Sequence, residues 1–253
     1  MLIPYDELRA AHVADYKKYY DRVSLDLGDS KKANTVTSTR LIEFMRFKND
    51  IELYTLLFNF GRYLAISASR PGSQAMTLQG IWTYQKISPW RSNYTVNINT
   101  EMNYWPLLPC SMPELCEPLN DMIEELAQSG QKTAKELYGA RGFASHHNVD
   151  LWRMSTPVGG SAAWSFWYCS GAWFTRHLFE YYEYTGDMDF LREKAYPVIL
   201  ESAKFCVDIL TEDEDGNLIA CPSTSPENLF IDKDGEEVAV SQTTTMTMSI
   251  IKE

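Results

Sequence analysis

The chain has 253 residues, of which 45% are hydrophobic and 23% charged, so it holds enough apolar side chains to form a buried core. Its formal net charge of −11 argues against a nucleic-acid partner and an anionic membrane surface, since both favour a basic face. No apolar run reaches the roughly 18 residues of a membrane-spanning helix, and the N-terminus turns polar too soon for a secretory signal. We expect a cytoplasmic protein, or a secreted or periplasmic one if residues precede the N-terminus.

The first 37 residues are predicted to form a linker. Residues 5–20 place apolar side chains at helical spacing, which predicts an amphipathic helix. Residues 23–28, VSLDLG, alternate apolar and polar side chains, and this alternation predicts a short strand. Ser38 or Thr39 is the predicted N-cap of the next helix. Residues 51–69 are apolar on most faces and predict a buried helix.

The middle of the chain contains two long irregular stretches. Residues 70–99 contain proline, glycine and serine without any period, and loops of this length are usually functional. A helix is predicted from about Thr100 through the segment PLNDMIEELAQSG, with an interruption at Pro106, and QKTAKELYG predicts another helix. Residues 143–164 form the second irregular stretch, which is rich in aromatic side chains.

Two further helices are predicted from Trp164 onward. Gly186 ends the first of them, and Asp187 is the predicted N-cap of the second. Residues 215–240 predict short strands with a tight turn at Asp234 and Gly235. The last helical pattern reaches the final residue without a stop signal, and we interpret this as a chain cut within a longer domain.

Helices therefore alternate with long loops, and the loops carry the unusual polar and aromatic residues. This arrangement is typical of an α-helical toroid, in which helix hairpins form the wall and the loops at one end form a pocket. The chain contains seven tryptophans and fifteen tyrosines, whose flat apolar faces match the C–H faces of sugars. A core rich in aromatic side chains is the alternative explanation.

The irregular stretches contain the candidate functional residues. Glu227 lies between small polar residues and the apolar Leu229 and Phe230, so desolvation could raise its pKa towards that of a general acid. A structural cap of a turn or helix is the alternative role for Glu227. His146 and His147, with Asp150, resemble a metal-binding pattern, but adjacent residues rarely bind one ion and no third ligand is suitably spaced.

Hydrogen bonding to ligand hydroxyls, or simple capping of the loop, are the roles left open for these two histidines and the aspartate. Five cysteines occur without a C-x-x-C pair, which predicts free thiols. We therefore expect no metal and no cofactor.

Five segments, taken in chain order, resemble glycoside hydrolase family 95, a family of inverting α-L-fucosidases with some α-L-galactosidases. They are SRPGSQAMTLQGIW, NINTEMNYWP, HHNVDLW, SGAWFTRHLFEYYEYTGD and PSTSPEN. The resemblance implies an (α/α)₆ barrel, of which residues 38–253 would be the N-terminal part. Residues 1–37 would then be the linker helix and strand that precede the catalytic domain. It also implies a fucosylated or L-galactosylated glycan as substrate.

The resemblance also implies roles for individual residues. Glu227 would be the general acid, and the side-chain amides of Asn97 and Asn99 would hold the attacking water. We expect these three residues to converge on one cavity, with Glu227 within about 10 Å of the amides because an inverting site must hold a sugar ring and a water between them. The family polarises its asparagine pair with an aspartate from a later DGNFG-like motif, which this sequence does not contain.

Four further residues are candidate sugar contacts. Thr95 stands where the family often has histidine, and its smaller side chain would leave room for the C6 hydroxyl that L-galactose has and L-fucose lacks. His147, Asp150 and Trp164 would contact the sugar.

Three expectations follow for the chain by itself. Without the base aspartate it should not turn over substrate, and apolar helix faces such as residues 53–66 should be exposed and favour self-association. A catalytically inactive carbohydrate-binding remnant and a helical interaction scaffold are the alternatives to an enzyme. Pocket aromatics that share one concave surface with Asn97 and Glu227 would argue against the scaffold.

Overall fold

The computed structural model describes residues 3–253, and about half of these residues are helical. The helices are α1 (Tyr5–Tyr20), α2 (Thr37–Phe47), α3 (Glu52–Ala68), α4 (Asn99–Tyr104), α5 (Glu117–Tyr138), α6 (Ser170–Thr185), α7 (Met188–Phe190), α8 (Tyr196–Asp208) and α9 (Thr245–Lys252). Short 3₁₀-helices cover Pro89–Ser92 and Pro113–Cys116, and a π-helical stretch, Leu191–Ala195, joins α7 to α8. The mainly α-helical fold is confirmed, and the closed barrel stays a prediction.

The strands are short and form three antiparallel pairs. These are β1 (Tyr94–Thr95) with β2 (Asn148–Val149), β3 (Leu210–Glu212) with β4 (Leu218–Ala220), and β5 (Phe230–Ile231) with β6 (Glu237–Val238). The predicted turn between β5 and β6 is confirmed. Gly235 has a φ of 85°, which favours glycine, and its N–H donates to the carbonyl of Asp232 at 3.1 Å.

The predicted strand at residues 23–28 is wrong. No strand of the described chain lies beside it, and a strand needs a partner for its backbone groups. The guanidinium of Arg62 in α3 instead donates to the carbonyls of Tyr20 and Val23. The segment is thus bonded to α3 at its first residue, Val23, and α1 packs on α3 through contacts such as Tyr16 with Tyr63. The domain boundary at residue 37 stays a prediction.

Helix ends lie where the sequence predicts them when the prediction depends on neighbouring residues only. Gly186 follows α6 with a φ of 68°, and the carboxylate of Asp187 accepts the N–H groups of Asp189 and Phe190, as predicted. The predicted cap at Ser38 or Thr39 is wrong, because α2 begins at residue 37 without a side-chain cap. The helix predicted from about Thr100 through residue 130 is divided into α4 and α5, and the separate helix predicted at residues 131–139 is the last part of α5, which has 22 residues.

The main core lies where α5, α6 and α8 pack against one another and against one face of α3. Its buried side chains include Ile66, Met122, Leu126, Phe174 and Val198. The described elements cover only one side of α3, so the prediction that it is buried holds for that side alone, and the expected exposure of apolar faces within residues 53–66 is confirmed. Leu57 on the other side is 68% exposed.

None of the helices within residues 3–253 is both long enough and apolar enough to cross a bilayer.

Candidate active site

A two-residue ladder brings the two irregular stretches together. Thr95 of β1 lies opposite Asn148 of β2, and the N–H of Val96 donates to the carbonyl of His147 at 2.9 Å. Thr95 and Asn148 are 53 residues apart in the chain. The ladder therefore places the asparagine-rich segment directly beside the histidine pair.

His146 and His147 have different environments. His146 is fully buried, its Nδ1 lies 2.6 Å from the carbonyl of Ser155, and its Nε2 lies 2.5 Å from the hydroxyl of Tyr138. Burial lowers the pKa of His146 to about 4, so the ring is neutral near pH 7, donating from Nδ1 and accepting at Nε2. His147 lines the cavity described next. His146 is thus a scaffold residue, and the described residues contain no group of three potential ligands that could hold a metal ion.

An open cavity of about 1280 Å³ lies beside the ladder. Six of the seven sequence-predicted site residues line it, although they come from four separate segments of the chain. They are Thr95, Asn99, His147, Asp150, Trp164 and Glu227. Further lining residues that the sequence analysis did not identify include Gln79, Trp90, Arg91, Leu151 and Trp152.

Asn97 is the predicted site residue that does not line this cavity. Its side chain is almost fully buried, and its Oδ1 has no hydrogen-bond partner within the described chain. Asn99, in contrast, is the first residue of α4 and faces the cavity. The expected convergence on the cavity therefore holds for Asn99 and Glu227 and not for Asn97, because the chain turns into the helix between the two asparagines.

Glu227 lies in a tight turn in which the N–H of Asn228 donates to the carbonyl of Ser225 at 2.7 Å. Its side chain is 60% exposed, so the expected desolvation by neighbouring apolar residues is wrong. Leu229 and Phe230 are themselves exposed and do not cover the carboxyl. Glu227 Oε1 lies 3.5 Å from Nε2 of His147.

Two of the predicted sugar contacts, Asp150 and Thr95, already form hydrogen bonds within the protein. Asp150 Oδ1 accepts the backbone N–H groups of Trp152 and Met154, both at 2.9 Å, so this carboxylate shapes its own loop. The Thr95 hydroxyl donates to Asn93 Oδ1 at 2.9 Å and lies 3.3 Å from Nδ2 of Asn148. Any effect of Thr95 on a sugar would therefore come from its size more than from a free hydroxyl.

Trp164 provides an aromatic surface in the cavity. Its ring centroid lies 5.3 Å from that of His147, with the two rings tilted by 51°. Gly160 also lies against the indole, and a Cβ there would be 2.1 Å from Cζ2 of Trp164. The φ of Gly160 is also 145°, so this position requires glycine both for its backbone and for the close approach of the indole.

Glu101 is a notable residue of this region to which the sequence analysis assigned no role. It lies in the first turn of α4, is completely buried, and neither carboxyl oxygen has a hydrogen-bond partner among the described residues. Burial raises the pKa of Glu101 to about 8, so the carboxyl is largely protonated at pH 7. Glu101 is the one acidic residue in the segment RSNYTVNINTEMNYWP, and this was the signal that could have identified it. The segment does not indicate that the side chain is buried.

Comparison with known proteins identifies the family of the chain. The model of the glycosyl hydrolase family 95 catalytic domain matches residues 4–253, and the chain belongs to this family.

Individual relatives are also similar. The chain is 44% identical to alpha-L-fucosidase 2 of Arabidopsis thaliana, in an alignment covering 98% of this chain and 30% of that protein. It is 34% identical to the probable alpha-fucosidase A of Aspergillus niger, with 88% of this chain and 29% of that protein covered. The chain therefore spans about 30% of the length of these relatives.

Proposed function

We propose that this chain carries part of the active site of an inverting exo-α-L-fucosidase, with Glu227 as its general acid. The observation that carries the proposal is the shared cavity of Asn99, Trp164 and Glu227. Family membership and the fucosidase names of the relatives support the same substrate class.

The proposed chemistry uses both sides of the sugar ring. The carboxyl of Glu227 protonates the glycosidic oxygen as the bond to the anomeric carbon breaks, and a water attacks the opposite face of the ring, which inverts the configuration. Asn99 orients this water with its amide. Trp164 stacks against the C–H face of the sugar.

We further propose that residues 38–253 form part of an (α/α)₆ barrel and that residues 1–37 form a linker to it. The uncovered face of α3 supports this proposal, because an apolar helix face of this kind belongs against a neighbouring helix. In isolation the same face should favour self-association, which sedimentation velocity can detect. A Leu57→Lys variant should then sediment as a smaller species at the same concentration, whereas unchanged sedimentation would contradict this role of α3.

The acid and the water alone do not complete the reaction, because an amide is not basic enough to deprotonate the water. Asp150 is the other carboxylate lining the cavity, and one of its oxygens is held by two backbone N–H groups. We therefore expect this chain, assayed by itself, to bind the glycan without cleaving its glycosidic bond. Loss of a general base costs about 10²–10⁴ in rate.

Two measurements test the proposal. Saturation-transfer NMR should show L-fucose binding to the chain, and binding should weaken in Trp164→Ala and persist in Glu227→Gln. No binding would favour the helical scaffold and overturn the proposal.

The second measurement is release of L-fucose from a 2′-fucosylated oligosaccharide. If the chain releases L-fucose and Glu227→Gln does not, the acid is confirmed and a base lies within these residues, with Asp150 as the candidate. Release that persists in Glu227→Gln would remove Glu227 from the reaction.

A further inference from the structure

A directed chain of hydrogen bonds runs through the ladder to the cavity. The hydroxyl of Thr95 donates to Asn93 Oδ1 at 2.9 Å, so its lone pairs face the amide Nδ2 of Asn148, 3.3 Å away. With Nδ2 donating to Thr95, the Oδ1 of Asn148 faces Nδ1 of His147 at 2.9 Å. Each group in this chain is either buried or partly buried.

The direction of this chain sets the tautomer of His147. An amide oxygen can only accept a hydrogen bond, so Nδ1 of His147 must carry the ring proton. In the neutral ring, Nε2 is then an acceptor. This Nε2 is buried and has no hydrogen-bond partner within the described chain, and the carboxyl oxygen Oε1 of Glu227 lies 3.5 Å from it.

We propose that His147 is a positioning residue for Glu227, and that Thr95 and Asn148 act on Glu227 by fixing the His147 tautomer that has an acceptor at Nε2. An acceptor at Nε2 takes the O–H that Glu227 donates in the proposed reaction, and so orients this O–H before a sugar binds. The opposite tautomer would present an N–H at Nε2, which cannot accept this hydrogen bond. When a sugar fills the cavity, the glycosidic oxygen replaces Nε2 as the acceptor, the O–H bond of Glu227 breaks, and the proton passes to the leaving oxygen.

The structure explains why position 95 matters to this arrangement. Removal of the Thr95 hydroxyl would leave Nδ2 of Asn148 without its acceptor, and the amide could then turn over. A turned amide would present Nδ2 to His147 Nδ1, which forces the ring proton onto Nε2. Thr95→Val removes the hydroxyl at nearly constant volume, and Thr95→Ser keeps it.

The test is the tautomer of His147, measured by long-range ¹H–¹⁵N NMR on the chain with ¹⁵N-labelled histidine. A His147→Gln variant assigns the signals of His147 among those of the four histidines. We expect an Nδ1–H ring in the wild type and in Thr95→Ser. In Thr95→Val we expect loss of this pattern, with the proton partly or wholly on Nε2.

Three outcomes would overturn the proposal: an Nε2–H ring in the wild type, a doubly protonated ring at pH 7, or an unchanged tautomer in folded Thr95→Val. If Thr95→Val does not fold, the wild-type tautomer and an Asn148→Ala variant still decide the question. The proposal rests on the proposed role of Glu227, but the tautomer is read without turnover. Absence of sugar binding with the expected tautomer would therefore overturn the function alone.

Discussion

The two walls of the cavity differ in how their side chains are held. On the first wall, formed by β1, β2 and the residues next to them, Thr95, His147 and Asn148 are buried and joined by hydrogen bonds. On the second wall, the turn at residues 225–228 presents Glu227 with most of its side chain in solvent and with His147 as its close polar neighbour. The difference indicates that the first wall is preorganised, whereas the carboxyl of Glu227 has a single close polar contact.

The largest effect that would sharpen this comparison is expected at Glu101, which is buried behind the first wall. Its pKa is about 8 when folded and 4.5 as a free side chain, so the raised value makes folding take up a proton between these limits. The associated stability is fully present below pH 4.5 and is lost as the pH rises through 8, by an amount on the order of several kcal/mol. Urea unfolding at a series of pH values should show this decline in the wild type.

The Glu101→Gln variant is the matched control for this pH dependence. Its amide keeps the shape of the side chain and does not titrate, so its free energy of unfolding should lack the decline between pH 4.5 and 8. Parallel stability curves for the two proteins would show that Glu101 is not protonated in the folded state.

The next largest effect is expected from breaking the anchor of the first wall. His146→Ala leaves Tyr138 and the carbonyl of Ser155 without their buried partners, so the free energy of unfolding should fall by about 3 kcal/mol. Denaturant titration measures this change. His12→Ala, at an exposed position of α1, is the control and should change stability by less than about 0.5 kcal/mol. Equal losses in the two variants would mean that His146 does not anchor the wall.

A smaller effect is expected from Thr95→His, which changes the shape of the first wall. Since the Thr95 hydroxyl is already engaged, its small size is what would admit the C6 hydroxyl of L-galactose. Histidine should therefore weaken L-galactose binding about fivefold relative to L-fucose, or about 1 kcal/mol. Affinities of both sugars for the wild type, Thr95→Ser and Thr95→His provide the test. A constant ratio would show that position 95 does not distinguish the sugars.

The smallest effect is expected on the second wall. Glu227→Gln removes an exposed carboxyl, so stability should change by no more than about 0.5 kcal/mol, even though we assign this residue the central chemical role. Thermal unfolding of the two proteins checks this. A fall of several kcal/mol in the free energy of unfolding would mean that Glu227 stabilises the fold. The side chains of the two walls would then be held to a similar degree.

Local signals were sufficient for part of the fold. Gly186 and Asp187 predicted the break between α6 and α7 because a helix cap depends on neighbouring residues only. The strand prediction for residues 23–28 is wrong for the opposite reason. Alternating side chains are a property of one segment, whereas a strand also needs a partner strand. The apolar pattern of α3 predicted burial, and its exposed face was predicted only from the resemblance, which implies that this chain holds part of a barrel.

The candidate site was predictable from motifs, but its internal geometry was not. The sequence placed His146 and His147 in one motif, and only the positions of Tyr138 and Ser155 show that the first is structural. Similarly, the burial of Glu101 depends on how α4 packs, which no spacing in its own segment reveals.

The ladder between β1 and β2 also has a consequence for the order of folding. It joins Thr95 to Asn148 across 53 residues, a span that contains α5. Closing such a loop costs chain entropy, and contacts distant in sequence generally form late. We therefore expect the cavity to assemble after the helices, so that substitutions in the ladder chiefly speed unfolding and leave the folding rate nearly unchanged. A ligand that bridges the two strands would then act mainly by slowing the opening of the native protein.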